Sequence, residues 1–350
     1  TQTRQGQKLK DNALMPQAPR HSSEHDAPQT PRWDMVRQVA RSFAISLQLL
    51  PKAVRWPVAL GYLLARASDS LADCPPLTTR DRQNSKQEAA DLRLRALQEL
   101  DQAIGRAAQQ QQALPLEKVG QVALGILAKS EQTLVQQLHH YLHALSQLPA
   151  ADRHCIAEVC HTIISGQQLD VQRFGVQAAH AVVALRTRHE VEDYTWRVAG
   201  CVGEFWGLIC ETHLPGWRLA DLSVMISAGI RYGQGLQRLN MLRDTAPDLA
   251  QGRCYWSEEE LQSVGLTAWQ LAHMVQQADH RPLAVMAPLW SDWVAQTRAG
   301  LSLGVAYSVA ITPRRLRLAS ALPALIGLRT LQVLEKRGPA ALAEPIKVPR

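Results

Sequence analysis

A chain of 350 residues with 46% hydrophobic content can bury one large core or two small ones, which excludes a disordered or fibrous chain. The formal net charge of +7 is local: residues 313–350 hold eight Lys and Arg against two Glu, so the rest is nearly balanced. With no basic stripe interleaved with aromatics, nucleic acid is not an expected partner, and a basic end beside the apolar run 316–334 suits a membrane surface or a solvated helix face.

The cysteines Cys74, Cys155, Cys160, Cys201, Cys210 and Cys254 form no CxxC pair, which argues against a zinc ribbon or a disulfide scaffold and points to a reducing cytoplasm. Cys155, Cys160 and His161 share no helix face well, so no metal site is expected there. No segment reaches about 18 uninterrupted apolar residues, and the N-terminus lacks a hydrophobic signal core. The expectation is a cytoplasmic protein in peripheral contact with the inner membrane through its basic C-terminal region.

In chain order, residues 1–30 read as a disordered leader, 31–338 as one all-α domain of roughly ten helices, and 339–350 as a tail. Pro or Gly breaks the helical pattern at 51, 57, 75–76, 115, 149, 215–216, 252, 282 and 313. Segment 78–113 reads as a loop and an exposed amphipathic helix.

A helix beginning near Pro57 carries an apolar stripe, Leu60, Leu64, Ala67 and Leu71, and a second stripe of Tyr62, Arg66, Asp69 and Asp73. A helix over 219–248 repeats the device with Gln237, Asn240, Asp244 and Asp248, and Leu236, Leu239 and Leu242 form its packing side. Carboxylates four residues apart on a helix repel, and a bridging cation removes that cost. Either pair alone is common on solvated helices. Both, however, continue into uncharged hydrogen-bonding residues within apolar helices, where a solvated face would show Lys and Glu. Oxygen-only ligands select hard cations such as magnesium, which binds one or two carboxylates together with substrate phosphate and water. Two such helices across a cavity suit ionisation of an allylic diphosphate, assisted by the flanking Arg41, Arg66, Arg243 and Arg253.

These segments, in order, resemble the squalene and phytoene synthase family over about 300 residues. RSFA at 41–44 is similar to a diphosphate-contacting segment, and YLLARASDSLAD at 62–73 to the first aspartate helix. GQQLD at 166–170 is similar to GMxxD, DYTWRVAGCVG at 193–203 to YCxYVAGxVG, and LQRLNMLRDTAPDLAQGRCYW at 236–256 to the second aspartate motif. The resemblance implies an isoprenoid synthase-type helical bundle with a central cavity. The implied activity is that of a magnesium-dependent prenyltransferase of the farnesyl-diphosphate farnesyltransferase type.

By the same resemblance, Asp69, Asp73, Asp244 and Asp248 would hold Mg²⁺, with Mn²⁺ able to substitute. Arg41, Ser42, Phe43, Tyr62, Arg66, Gln237, Asn240, Arg243 and Arg253 would contact or position the diphosphate of farnesyl diphosphate. Tyr194 would handle the proton lost in the first half-reaction, with adjacent cations and diphosphate oxygens relaying it.

Several residues depart from the family pattern. Ala40 replaces a serine, and Ala72 and Pro247 replace an acidic residue in each motif. Pro247 further implies that Asp248 sits at a frayed helix end. Arg197 stands where relatives have tyrosine, adding a cation near the VAG segment that could alter product choice. The stretch LASALPALIGLRTL at 318–331 is similar to a squalene synthase helix near the nicotinamide-dependent reduction, which favours squalene and NADPH; a mere core kink at Pro323 explains it equally well. With no GxGxxG after a strand, a nucleotide site must be built from helices. Phytoene, dehydrosqualene and presqualene diphosphate are alternative products, and a non-catalytic assembly factor is a third class, one that would have lost the aspartates.

Overall fold

The computed structural model describes residues 33–40, 43–75, 84–175, 181–277 and 281–343, and these form one folded unit, fifteen α-helices among the described residues. The leader, Arg41 and Ser42 lie outside them. Two short helices, α1 (Trp33–Ala40) and α2 (Phe43–Leu49), precede α3 (Lys52–Ala72). Pro51 is the N-cap of α3, so this helix starts five residues before Pro57, which lies buried inside it. Pro57 forgoes only the single bond to the carbonyl of Ala53, and packing compensates.

Helix α4 (Asn84–Ala108) is amphipathic as expected but not merely exposed: Leu97, Leu100 and Ile104 are fully buried. Three short helices, α5 (Glu117–Ala123), α6 (Lys129–Gln136) and α7 (Leu138–Ser146), lead to α8 (Ala150–Phe174). Helices of seven to nine residues show too little periodicity to be read separately, which is why the expected ten became fifteen.

After β1 (Val183–Ala184), α9 (Arg188–Thr195) is capped by the Thr187 hydroxyl, which accepts from the Glu190 amide at 3.2 Å. It runs without a break through a π-helical turn, Trp196–Gly200, into α10 (Cys201–His213). The long α11 (Leu222–Ala250) is central, packing on α10 and on α14 (Ala287–Val309). Between them lie β2 (Arg253–Cys254), parallel to β1, and two helices with capping boxes, α12 (Glu258–Ser263) at Ser257 and α13 (Ala268–Gln276) at Thr267. Helix α15 (Arg314–Arg337) starts after Pro313 and contains Pro323, and the chain turns at Gly338 into a 3-10 helix, Gly338–Ala343, that buries Ala341 and Leu342.

Helix α11 is in backbone contact with its neighbours. A Cβ on Gly203 would lie 2.1 Å from the Gly229 carbonyl oxygen, and one on Gly235 would lie 2.9 Å from the Cα of Gly300. Small residues thus let α10 and α14 close on α11 from two sides. The all-α expectation holds, and the only strands among the described residues are the two-residue β1 and β2.

Candidate active site

The polar stripe of α3 and the first part of that of α11 reach one chamber of about 530 Å³, whose wall includes Tyr62, Arg66, Asp69, Asp73, Tyr194, Gln237, Asn240 and Arg253 but not Arg243, Asp244 or Asp248. The opposite stripe of α3 explains why: Leu60, Leu64, Ala67 and Leu71 are fully buried, leaving only the polar face for the cavity. Phe43 packs against Tyr62 with ring centres 5.3 Å apart and planes tilted by 39°, and lies outside this chamber, on the wall of a smaller apolar one. Tyr62 donates to the carbonyl of Val39 at 3.2 Å.

Arg66 is engaged twice, by Asp69 and by Glu131 of α6. Glu131 had no signal in the sequence as a site residue; it lies 65 positions from Arg66. Burial, then the neighbouring Asp73, push the Asp69 carboxyl up to about 6, against the pull of Arg66. On α11, Arg243 grips Asp244 with two donors, one at 2.8 Å. Asp248 is not frayed: α11 continues through the exposed Pro247 to Ala250. Burial and then Asp244 push the Asp248 carboxyl up to about 7, with Asp170 and Asp73 adding repulsion and Arg253 opposing it. Asp248 therefore feels the first motif as well as its own.

Arg253 follows the left-handed Gly252 (φ +79°) and is held in β2, from which it reaches Asp73 at 3.3 Å. Burial alone would lower its pKa, but Tyr255, Asp73 and Asp170 outweigh burial and keep it protonated. A further cation not singled out in the sequence is Arg93 of α4. It donates to the Ala72 carbonyl at 3.2 Å, lines the chamber, and has no carboxylate partner among the described residues. Burial and then Arg253 lower its pKa.

The surroundings of Tyr194 differ from expectation. Its hydroxyl donates to Asp170 Oδ2 at 2.9 Å, and Tyr255 donates to the same oxygen at 2.7 Å. The two rings stack at 5.1 Å. Its direct partners are thus a carboxylate and a phenol rather than cations, and burial, then Asp170, raise the Tyr194 pKa well above that of a free phenol. Asp170 itself is pushed up to about 6, first by burial, against the pull of both hydroxyls. Its Oδ1 is buried without a hydrogen-bond partner among the described residues. The sequence signal for Asp170 was present in the GQQLD segment but assigned no role.

Arg197 leaves the chamber alone: it is bound to Asp193 at 2.8 Å and to the Ser165 hydroxyl at 2.8 Å. The π-turn that carries it also presents Val198, which, with Val202, lines both the polar chamber and an adjoining apolar cavity of about 210 Å³. That second cavity is walled by Phe43, Trp206, Tyr232, Leu236, Tyr307 and Pro323, among others. Among the described residues, no three His, Cys, Asp or Glu side chains close on one point as a metal cage.

A family model described as squalene/phytoene synthase matches residues 36–350. The squalene synthase of Solanum lycopersicum is 26% identical over 251 residues, 69% of this chain and 51% of its own length. That of Eremothecium gossypii is 27% identical over 241 residues, 65% of this chain and 45% of its own. The chain thus spans about half the length of the curated relatives it matches. Among solved structures, TcSQS with a bound ligand superposes with a TM-score of 0.69 at 20% identity, covering 91% of this chain and 81% of that one. Squalene synthase HpnC from Alicyclobacillus acidocaldarius gives 0.54 at 20% identity, covering 87% and 94%. These structural likenesses concern the fold, while the family match covers nearly all of the sequence, and the chain belongs to the squalene/phytoene synthase family.

Proposed function

We propose that this chain is a prenyltransferase that joins two farnesyl diphosphates head to head through presqualene diphosphate and, with magnesium and NADPH, yields squalene. The observation that carries the reading is a pair of neighbouring cavities: a polar chamber bearing carboxylates and guanidinium groups shares the wall residues Val198 and Val202 with an apolar one. A prenyl diphosphate has the same two halves.

The carboxylates fit magnesium. Asp69 and Asp248 have pKa values raised by burial and by like charge, as expected for sites short of positive charge, and the described residues form no closed protein cage. That is the donor set of an ion held by one or two carboxylates and completed by phosphate and water. Asp69, Asp73, Asp244 and Asp248 would hold magnesium, which would supply positive charge to the leaving diphosphate. Arg253 and Arg93 add fixed donors on the same wall, and Gln237 and Asn240 orient the head group. Arg66 is held by Asp69 and Glu131, so its role is to position the first motif rather than to supply a free guanidinium.

Asp170 is the base this chain offers. Closing the cyclopropane ring requires a proton to leave carbon, and Asp170 has one acceptor oxygen unfilled by the described residues while Tyr194 and Tyr255 hold the other. Tyr194 has its pKa pushed the wrong way for a base; its ring and hydroxyl orient the carboxylate.

A third cavity, of about 400 Å³, shares Arg93, Phe174, Gly175 and Arg253 with the chamber and adds Lys86, His273 and the exposed Trp269, with no carboxylate among its described lining residues. Its cations suit nucleotide phosphates, and Trp269, stacked on His273 at 5.4 Å, offers a face for a base. NADPH, when bound, supplies the hydride of the second half-reaction.

The test is the product made from farnesyl diphosphate with Mg²⁺, with and without NADPH. Squalene with NADPH, and presqualene diphosphate accumulating without it, is expected. A C30 polyene other than squalene formed regardless of NADPH, or no turnover, would sink the reading.

A further inference from the structure

We infer that the cavity between α4, α5, α6 and α7 is a binding site, apart from the active site, for a single-chain amphiphile with an anionic head group. At about 580 Å³ it is larger than the polar chamber, and it shares no lining residue with that chamber, with the adjoining apolar cavity or with the third cavity. Its size is within the range that small-molecule pockets span.

The floor is apolar and partly built of small residues. Ala103 and Ala107 of α4 and Ala123 of α5 are buried there, and Val135, Leu138 and Leu142 close the sides. Gly120, inside α5, also lines the cavity, and a Cβ added to it would meet nothing within 4 Å. Glycine weakens a helix, and here it leaves room that any other residue would begin to fill. Leu114 and Leu124 are exposed at the lips, two apolar side chains that a bound hydrocarbon would cover.

Polar groups gather at the rim. Gln111, Gln136, His139 and His143 are all able to donate, and no Asp or Glu is among the described lining residues. One end of the rim is fixed at the cost of backbone strain: Gln110 is the only non-glycine with positive φ (56°) among the described residues. Its side chain donates to the Ser146 carbonyl at 3.0 Å, tying the end of α4 to the end of α7 and setting Gln111 beside the joint.

These dimensions select the occupant. From Leu138 to Ser146, α7 runs along the cavity for about 12 Å, or two turns. That is too short for a stable protein interface, which needs about 20–30 residues a side. One hydrocarbon chain can lie along it with its head among the donors. Donors without a competing acid favour a charged acceptor, a carboxylate or a phosphate.

Equilibrium dialysis of the full chain against labelled dodecanoate, dodecyl phosphate and dodecanol, each below its micelle-forming concentration, tests the inference. A photoreactive dodecanoate, cross-linked and mapped by peptide mass spectrometry, locates the site. Saturable binding of at least one anion, about tenfold or more tighter than that of dodecanol, is expected, with the cross-link within residues 103–146. The tighter of the two anions identifies the head group. Gly120→Phe, which puts a ring into the cavity, and His139→Glu/His143→Glu, which sets acids at its rim, should each weaken anion binding about tenfold or more. All three positions are exposed. Circular dichroism melts establish that the variants are folded, and if one does not fold, the other and the cross-link carry the test. No saturable binding, dodecanol bound as tightly as both anions, cross-links only in the active-site cavities, unchanged binding in folded variants, or a dimer that Gly120→Phe splits while the parent binds no amphiphile would each overturn the inference.

Discussion

The carboxyl of Asp170 accepts from two phenols at one oxygen and has no partner among the described residues at the other, while burial holds its pKa at about 6 in place of 3.8. A pKa raised by folding means that the neutral form is favoured in the native state. Its contribution is complete below pH ~4 and is lost as pH rises through about 6. Asp170→Asn removes that loss, so between pH 4 and 7 its stability relative to the parent shifts in its favour by up to about 2–3 kcal/mol, read from denaturant midpoints across pH. The same variant is expected to lose turnover by about 100-fold or more, because it cannot take a proton. Tyr255→Phe deletes the donor 2.7 Å from Asp170, one of the groups that lower its pKa. The acid limb of its pH–rate profile should move to higher pH, and an unmoved limb would detach Asp170 from the rate. Tyr194→Phe should still bind farnesyl diphosphate yet form little presqualene diphosphate in single-turnover assays.

At the level of elements, α11 determines where the second motif stands, and two of its features have opposite costs. Pro247 lacks the amide that would bond the carbonyl of Arg243, and it is exposed, so nothing in the core depends on its ring. Pro247→Ala should raise the thermal midpoint, with a gain of roughly 1 kcal/mol or more. The crossing of α10 and α11 is the reverse case, because any side chain on Gly203 meets backbone that cannot turn aside. Gly203→Ala is expected to cost about 1–3 kcal/mol or more in chemical denaturation, and, by parting α10 from α11, to disturb the cavity wall that Val202 and Gly203 share. A neutral result would mean that the two helices separate easily.

Across the whole molecule, charge is the organising quantity. Asp69 and Asp248 sit on helices from different parts of the chain, and both have pKa values raised by folding, to about 6 and about 7. Their ionised forms destabilise the metal-free protein at neutral pH, so Asp69→Asn and Asp248→Asn should each melt at the same temperature or higher at pH 7.5. That advantage disappears below pH ~4, where both groups are protonated folded or unfolded. Turnover should fall by orders of magnitude in both, and should require Mg²⁺ or Mn²⁺, failing with Zn²⁺ alone or with chelator. Full activity of metal-stripped protein would remove the carboxylates from that role.

What the sequence determined by itself follows from periodicity. A helix repeats every 3.6 residues, so the apolar and polar stripes of α3 and α11, and with them Asp69, Asp73, Gln237, Asn240 and Asp244, could be placed on faces before any fold was known. Short helices, and prolines that packing tolerates inside α3 and α11, were beyond that reading, since neither leaves a repeat long enough to see. Tertiary structure alone decided who meets whom. Glu131 holds Arg66 from 65 positions away, Arg253 reaches Asp73 across 180, and Asp170 draws Tyr194 and Tyr255 to one oxygen across 24 and 85. Such pairings leave no local pattern, because burial and Coulomb energy depend on distance in space, and only the packing of α3 on α6 and α8, and of α11 on α9 and β2, brings these charges together.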